Sequence, residues 1–314
     1  MYSSSVRPSC ESAEWALARP AVTYCSKSVV LLCSAGDAGV IAVDLQAGMC
    51  VASLLNGRGV LTCEYGGGRF VFVEGHGVAV YALWAGRARV LKRFSTDYTF
   101  RDVLFARSHS GSLYVTDRAF GLTKWDLASA STAWRNRIFD DVGSDKVALC
   151  EGVVACSGVA CVQVLEASNG GLVRELSGPS GRVMDLEFGD EGDLYCLSNS
   201  GCLGRYSPGA HSPESVRLLD VPQFMWIACV APKLGVSIVQ GVGGRVFVCS
   251  VATGKLLATS ASSLPLARSV AVCFASRNVV ECCLYCPGVL IWMAFGFECG
   301  VLEVRRRIAL PDGF

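Results

Sequence analysis

Histidine is nearly missing from this sequence, with three residues in 314, and charged side chains make up only 18% of it. The three histidines, His76, His109 and His211, fall in turn-like stretches. None sits in a metal-binding His-Glu-x-x-His pattern, in a Gly-x-Ser-x-Gly elbow or in a Ser-His-Asp order, so the known signatures of hydrolytic and zinc chemistry are absent. One Cys-x-x-Cys pair occurs, Cys283 and Cys286, without the second pair that a structural zinc site needs. Gly254-Lys255 is followed by Leu256, and no glycine lies five residues before Gly254, which excludes a phosphate-binding loop. The longest uncharged apolar run, residues 282–297, is 16 residues long and carries Pro287-Gly288 inside it. A membrane-spanning helix needs about 20 apolar residues, so two buried strands joined by a Pro-Gly turn are expected there. The opening stretch MYSSSVRPSCESAEW is polar and lacks the charged-then-apolar order of a secretory leader.

Hydrophobic residues are plentiful, at 52%, and so are glycine, with 34, and cysteine, with 17. That is ample for a packed core and far from a disordered composition. A net charge of +1 provides no overall field for nucleic acid or anionic lipid. The cysteines are odd in number and recur at no fixed spacing. They read as small buried apolar residues of a reduced protein, cytoplasmic or nuclear.

The glycines punctuate a repeat. Segments of the form glycine, alternating apolar residues, turn begin at Gly39, Gly77, Gly121, Gly158, Gly201, Gly244 and Gly288, at intervals of 37 to 44 residues. The fourth unit fits better with its register moved by about two residues, which puts Glu166 where Asp44 and Asp126 stand. Two apolar runs precede each segment and one follows it, as in RVMDLEF, DLYCLS, GCLGRYS and SVRLL of the fifth unit. Four short Val-, Phe-, Tyr- and Cys-rich strands per unit form a meander. Seven such units fill residues 21–308. One meander leaves two apolar faces uncovered, neighbouring units cover them, and closure into a ring removes the end interfaces.

GLTKWDLASA, residues 121–130, holds the one Trp-Asp pair, Trp125-Asp126, and GPSGRVMDLEFGDEGDLYCLSNSGCLGRYS, residues 178–207, is the most regular unit. On these segments and the period, the chain resembles a degenerate WD40-type family member. The resemblance implies an all-β, seven-bladed β-propeller of four-stranded antiparallel blades, spanning 21–314. Residues 1–20 read as an N-terminal arm, either loose or closing the ring, with Trp15 and Leu17 as candidate anchors. The chain departs from the family in lacking the histidine of the blade hydrogen-bond tetrad, so Trp125 is expected to serve as buried bulk while Asp126 holds the turn through Ala128 or Ser129.

The resemblance implies a non-catalytic scaffold for multi-protein or ribonucleoprotein assemblies, with other proteins as partners. The residues themselves suggest no cofactor, metal, membrane or small-molecule site. The alternative is a propeller hydrolase or lyase whose acids converge on the channel, for which Glu64, Asp185 and Glu187 are candidates. Two cation runs are candidate patches for RNA or an acidic partner. In the first, strand alternation places Arg87, Arg89 and Arg93 on one face and Lys92 on the other. In the second it pairs Arg305 with Arg307. The glycine-rich stretches at 64–70 and 241–247 lead into strands and read as turns, and the acids Asp140, Asp141 and Asp145 read as a solvated loop.

Overall fold

The computed structural model describes residues 21–314 apart from 25, 27, 34–38, 56–59, 64–68, 75–76, 85–86, 96–102, 110, 118–120, 137–145, 158–160, 179–180, 222–224, 277 and 313. Seven four-stranded antiparallel sheets follow one another, each made of four consecutive strands with no crossover. They are blades 1 to 7, at residues 21–55, 60–95, 103–136, 147–177, 183–218, 225–259 and 269–309. Together they form a seven-bladed β-propeller. Among the described residues the one helical element is a single turn, Pro232–Leu234. The expected arm at 1–20, with Trp15 and Leu17, lies outside the described residues.

The first strands of adjacent blades meet around the central axis and the fourth strands form the rim. The apolar run at 282–297 is resolved as expected into Val279–Cys286 and Val289–Gly296, with Pro287-Gly288 as the turn. The fourth unit's third strand, Cys161–Glu166, begins three residues past Gly158, as the moved register required. One turn shows why glycine is needed. Gly244 has φ +80°, and a Cβ there would collide with the Leu264 carbonyl.

Alternation along the middle strands sends apolar side chains to both flanking blades, so the core is seven inter-blade clusters rather than one centre. Val71, Val73 and Val78 of blade 2 pack on Leu113, Val115 and Trp125 of blade 3. Closure uses the same contact. Val30, Leu32 and Ile41 of blade 1 pack on Cys283, Tyr285 and Leu290 of blade 7, and the Val22 N–H donates to Ser269 Oγ at 3.2 Å. Each fully buried side chain of this size contributes about 1.5–3 kcal/mol. Both end blades therefore complete their own sheets.

Hydrogen bonds also join neighbouring blades. Trp134 Nε1 donates to the Ala167 carbonyl at 3.1 Å, and Tyr206 OH donates to the Ser177 carbonyl at 2.7 Å. Arg174 Nη1 reaches the Ser207 and Ala210 carbonyls at 2.9 and 3.0 Å.

Candidate interaction surface

Both cation runs lie on rim strands. Arg87, Arg89, Lys92 and Arg93 belong to the fourth strand of blade 2, Arg87–Ser95, and Arg305, Arg306 and Arg307 to that of blade 7, Val301–Ala309. The faces differ from simple alternation. A bulge at Leu91 puts Lys92 opposite Val80 and Arg93 opposite Ala79, while Arg87 and Arg89 stand opposite Trp84 and Ala82. Lys92 therefore shares a face with Arg87 and Arg89, and its ammonium donates to the Ala128 carbonyl of blade 3. Arg93 turns the other way, toward blade 1, with Nη2 at 3.5 Å from Tyr81 OH.

The second run is split by the same device. Arg305 is the extra residue of a bulge between the partners of Trp292 and Met293, and it pairs with Glu303 at 3.1 Å. Arg307 stands opposite Ile291, whose face packs on blade 6, while Arg305 has no partner on the neighbouring strand. Arg306, opposite Trp292, points to blade 1 and lies against Gly48. In the first run the bulge corrects the expected faces, since Lys92 rather than Arg93 joins Arg87 and Arg89, and in the second the bulge falls at Arg305 itself. Each adds one residue without a pairing partner and so reverses the alternation beyond it.

Ring closure brings the two runs to either side of one strand. The fourth strand of blade 1, Met49–Leu55, carries no charge, and Met49 and Val51 on it are 57% and 45% exposed. It runs beside the cationic strand of blade 2, and the turn before it receives Arg306 of blade 7. In the sequence MCVASLL reads as a core strand. The one signal that it is exposed is its place as fourth in its unit.

The remaining candidates stay separate. His109 ends the first strand of blade 3 and His211 lies in the blade 5 turn, both exposed, while His76 lies outside the described residues. Cys283 and Cys286 are fully buried, and burial pushes the Cys286 thiol up to about 11 and Cys282 up to about 12. Cys282 and Cys286 are thiols outside any disulfide. Among the described residues no cluster of His, Cys, Asp and Glu is placed to hold a metal ion. The glycines at 64–68 and the acids at 140–145 lie outside the described residues.

At the channel, Asp185 Oδ2 accepts the Val230 N–H at 2.8 Å and Oδ1 lies 4.0 Å from Lys146. That carboxylate ties the inner strands of blades 5 and 6 together. Burial, with Asp185 close by, raises the nearby Cys229 thiol well above its usual range, so it is protonated at neutral pH. Glu187 lies on the same strand as Asp185, and Glu64 is outside the described residues.

The Trp-Asp turn is built as the residues suggest. Trp125 is 3% exposed in the cluster between blades 2 and 3. Asp126 Oδ1 accepts from the Ser129 N–H at 2.6 Å and from Ser129 Oγ at 3.0 Å. Asp44 does the same for the Gln46 and Ala47 N–H groups, both at 2.8 Å.

The architecture defines the class, a seven-bladed β-propeller. Solved structures of similar shape include Hsv2 of Kluyveromyces lactis, with a TM-score of 0.66 at 8% identity over 94% of this chain and 100% of that one. A form of that protein with its loop 6CD replaced by a Gly-Ser linker gives 0.66 at 9% identity, with the same coverage. The computationally designed protein Ika8 gives 0.60 at 13% identity, over 90% of this chain and 81% of that one. At such identities the likeness establishes the fold alone. No family model matches the chain, and no curated protein sequence does.

Proposed function

We propose that this chain is a non-catalytic interaction scaffold of the WD40 kind, holding other proteins within a multi-protein or ribonucleoprotein assembly. One observation carries the reading: apolar clusters lock all seven blades to their neighbours, blade 7 to blade 1 included, and leave a stiff ring whose rim and loops present separate surfaces. Stiffness suits a scaffold because a preorganised surface loses little conformational entropy on binding. The titratable groups near the channel support the same reading, since Asp185 bonds a backbone N–H and the Cys229 thiol is held neutral.

The test is affinity purification of the full chain from its source cells, with co-purifying proteins identified and the complex sized. The expected result is a defined set of partners recovered in near-stoichiometric amounts. Recovery of the chain alone, or turnover of a small molecule by the purified chain, would overturn the proposal.

A further inference from the structure

Resting on the scaffold reading, we infer that the rim of blades 7, 1 and 2 is one docking surface for an acidic polypeptide segment that also carries aliphatic side chains, laid across the outer strand of blade 1. The three rim strands hold seven cations and one acid, while the whole chain is only +1, so the rest of the molecule is net negative. Cations frame the uncharged strand Met49–Leu55 from both sides: Arg93 from blade 2 and Arg306 from blade 7. Between them Met49 and Val51 are exposed, joined by Val90 and Leu91 at 42% and 48% exposure.

That chemistry selects the partner. The charge calls for an anion. Single-stranded nucleic-acid platforms stack bases on aromatic rings, and the exposed apolar residues of this strip among those described, Met49, Val51, Val90 and Leu91, are aliphatic. An arginine side chain reaches farther than valine or methionine, so a flat anionic membrane would be held off the apolar strip, whereas a single chain can lie down in it. Bulges at Val51 and Leu54 break the pairing of the blade 1 strand, so contact runs through side chains rather than through an added β-strand.

The test uses fluorescence anisotropy with a labelled synthetic peptide of repeating aspartate, glutamate and leucine. Competing probes are an oligouridine strand and phosphatidylserine vesicles. The peptide is expected to bind, and to bind more weakly as salt rises. Arg93→Glu with Arg306→Glu is expected to lower its affinity by at least about tenfold. Met49→Ser with Val51→Ser is expected to lower it about threefold or more while leaving the salt dependence unchanged. Lys233→Glu with Lys255→Glu, a matched charge reversal on exposed turns of blade 6, is expected to leave it within about twofold. Circular dichroism and melting of each variant separate lost binding from lost fold. The inference is overturned if the blade 6 pair weakens binding as much as the rim pair. Tighter binding of oligouridine or vesicles than of the peptide overturns it too. If cellular partners are still captured in full by the Arg93→Glu, Arg306→Glu variant, the rim assignment fails while the scaffold reading stands.

Discussion

In every blade the second and third strands pair without a break. The third and fourth strands do so only in blade 5, and in the other six a bulge interrupts the ladder. The difference follows from what each strand faces. A middle strand is buried on both sides by neighbouring blades, so a one-residue slip moves its whole apolar set to the wrong interface. A rim strand has one edge in solvent, where a flat row of unpaired N–H and C=O groups invites aggregation. A bulge twists that edge and breaks the row. Blade 5 keeps its ladder, but its rim strand, Ser215–Leu218, is only four residues long, and shortness protects an edge as well.

Removing one residue from each kind of strand gives the largest contrast. Deletion of Val115, in the second strand of blade 3, shifts a strand that is paired on both sides and unbroken against the third. We expect no folded protein, a loss above about 5 kcal/mol. Deletion of Leu91 removes a residue that already has no partner on its neighbouring strand, and should cost about 1–2 kcal/mol in a urea melt. The same deletion should close the ladder without a bulge and leave Lys92, rather than Arg93, on the face of Arg87 and Arg89. Comparable losses for the two deletions would erase the distinction.

Trp125 tests the middle strands by volume rather than by register. It fills the interface of blades 2 and 3 with Val71, Val73 and Leu113. Trp125→Ala should cost about 3–5 kcal/mol through the cavity left behind, and Trp125→Phe much less. A harmless Trp125→Ala in denaturant melts would mean that the blades are not held together by these clusters.

The same contrast explains what could be read from the residues and what could not. The middle hairpins were legible because glycine marks their turns and alternation runs through them, so the segments from Gly77 and Gly121 begin at the strand starts. The rim was half legible. The position of every fourth strand followed from its apolar run, and Arg87 and Arg89 share a face as alternation required, yet Lys92 and Arg93 exchanged faces. The bulge residues Leu91 and Arg305 carry no glycine or proline to announce them. Nor does any local signal bring residue 49 next to residue 306. That neighbourhood is made by ring closure and exists only in three dimensions.

Rim strands bear load where they face a neighbour, and Arg174 measures how much. It stands opposite Val164 on the face toward blade 5 and is 8% exposed, with its guanidinium on two carbonyls of the blade 5 turn. Arg174→Met keeps the packing and removes the donors, so a loss of about 1.5–3 kcal/mol is expected. Val173, the residue before it and exposed, should tolerate alanine with a change below about 0.5 kcal/mol. Equal effects at the two positions would show that the rim strand is uniformly dispensable or uniformly structural, and the measured sizes would tell which.

The smallest expected effect lies in the turn that joins the two kinds of strand. Asp126 ends the third strand of blade 3, and the Ser129 N–H and hydroxyl hold its carboxyl below the usual carboxylate range, with the Ala128 N–H and Lys92 adding to the shift. A carboxyl whose pKa is lowered by folding stabilises the native state at pH above its unfolded value of about 3.9. That contribution is lost as pH falls through the lower folded value. Asp126→Ala should therefore melt below the wild type at pH 7 by a small margin, and the margin should shrink as the pH is taken below about 4. Ser129→Ala should reproduce part of the loss, because one of the bonds that lower the pKa is its hydroxyl. A margin that stays constant through the acid range would mean that Asp126 acts through its shape in the turn rather than its charge. The join between middle and rim strands would then be held by backbone geometry alone.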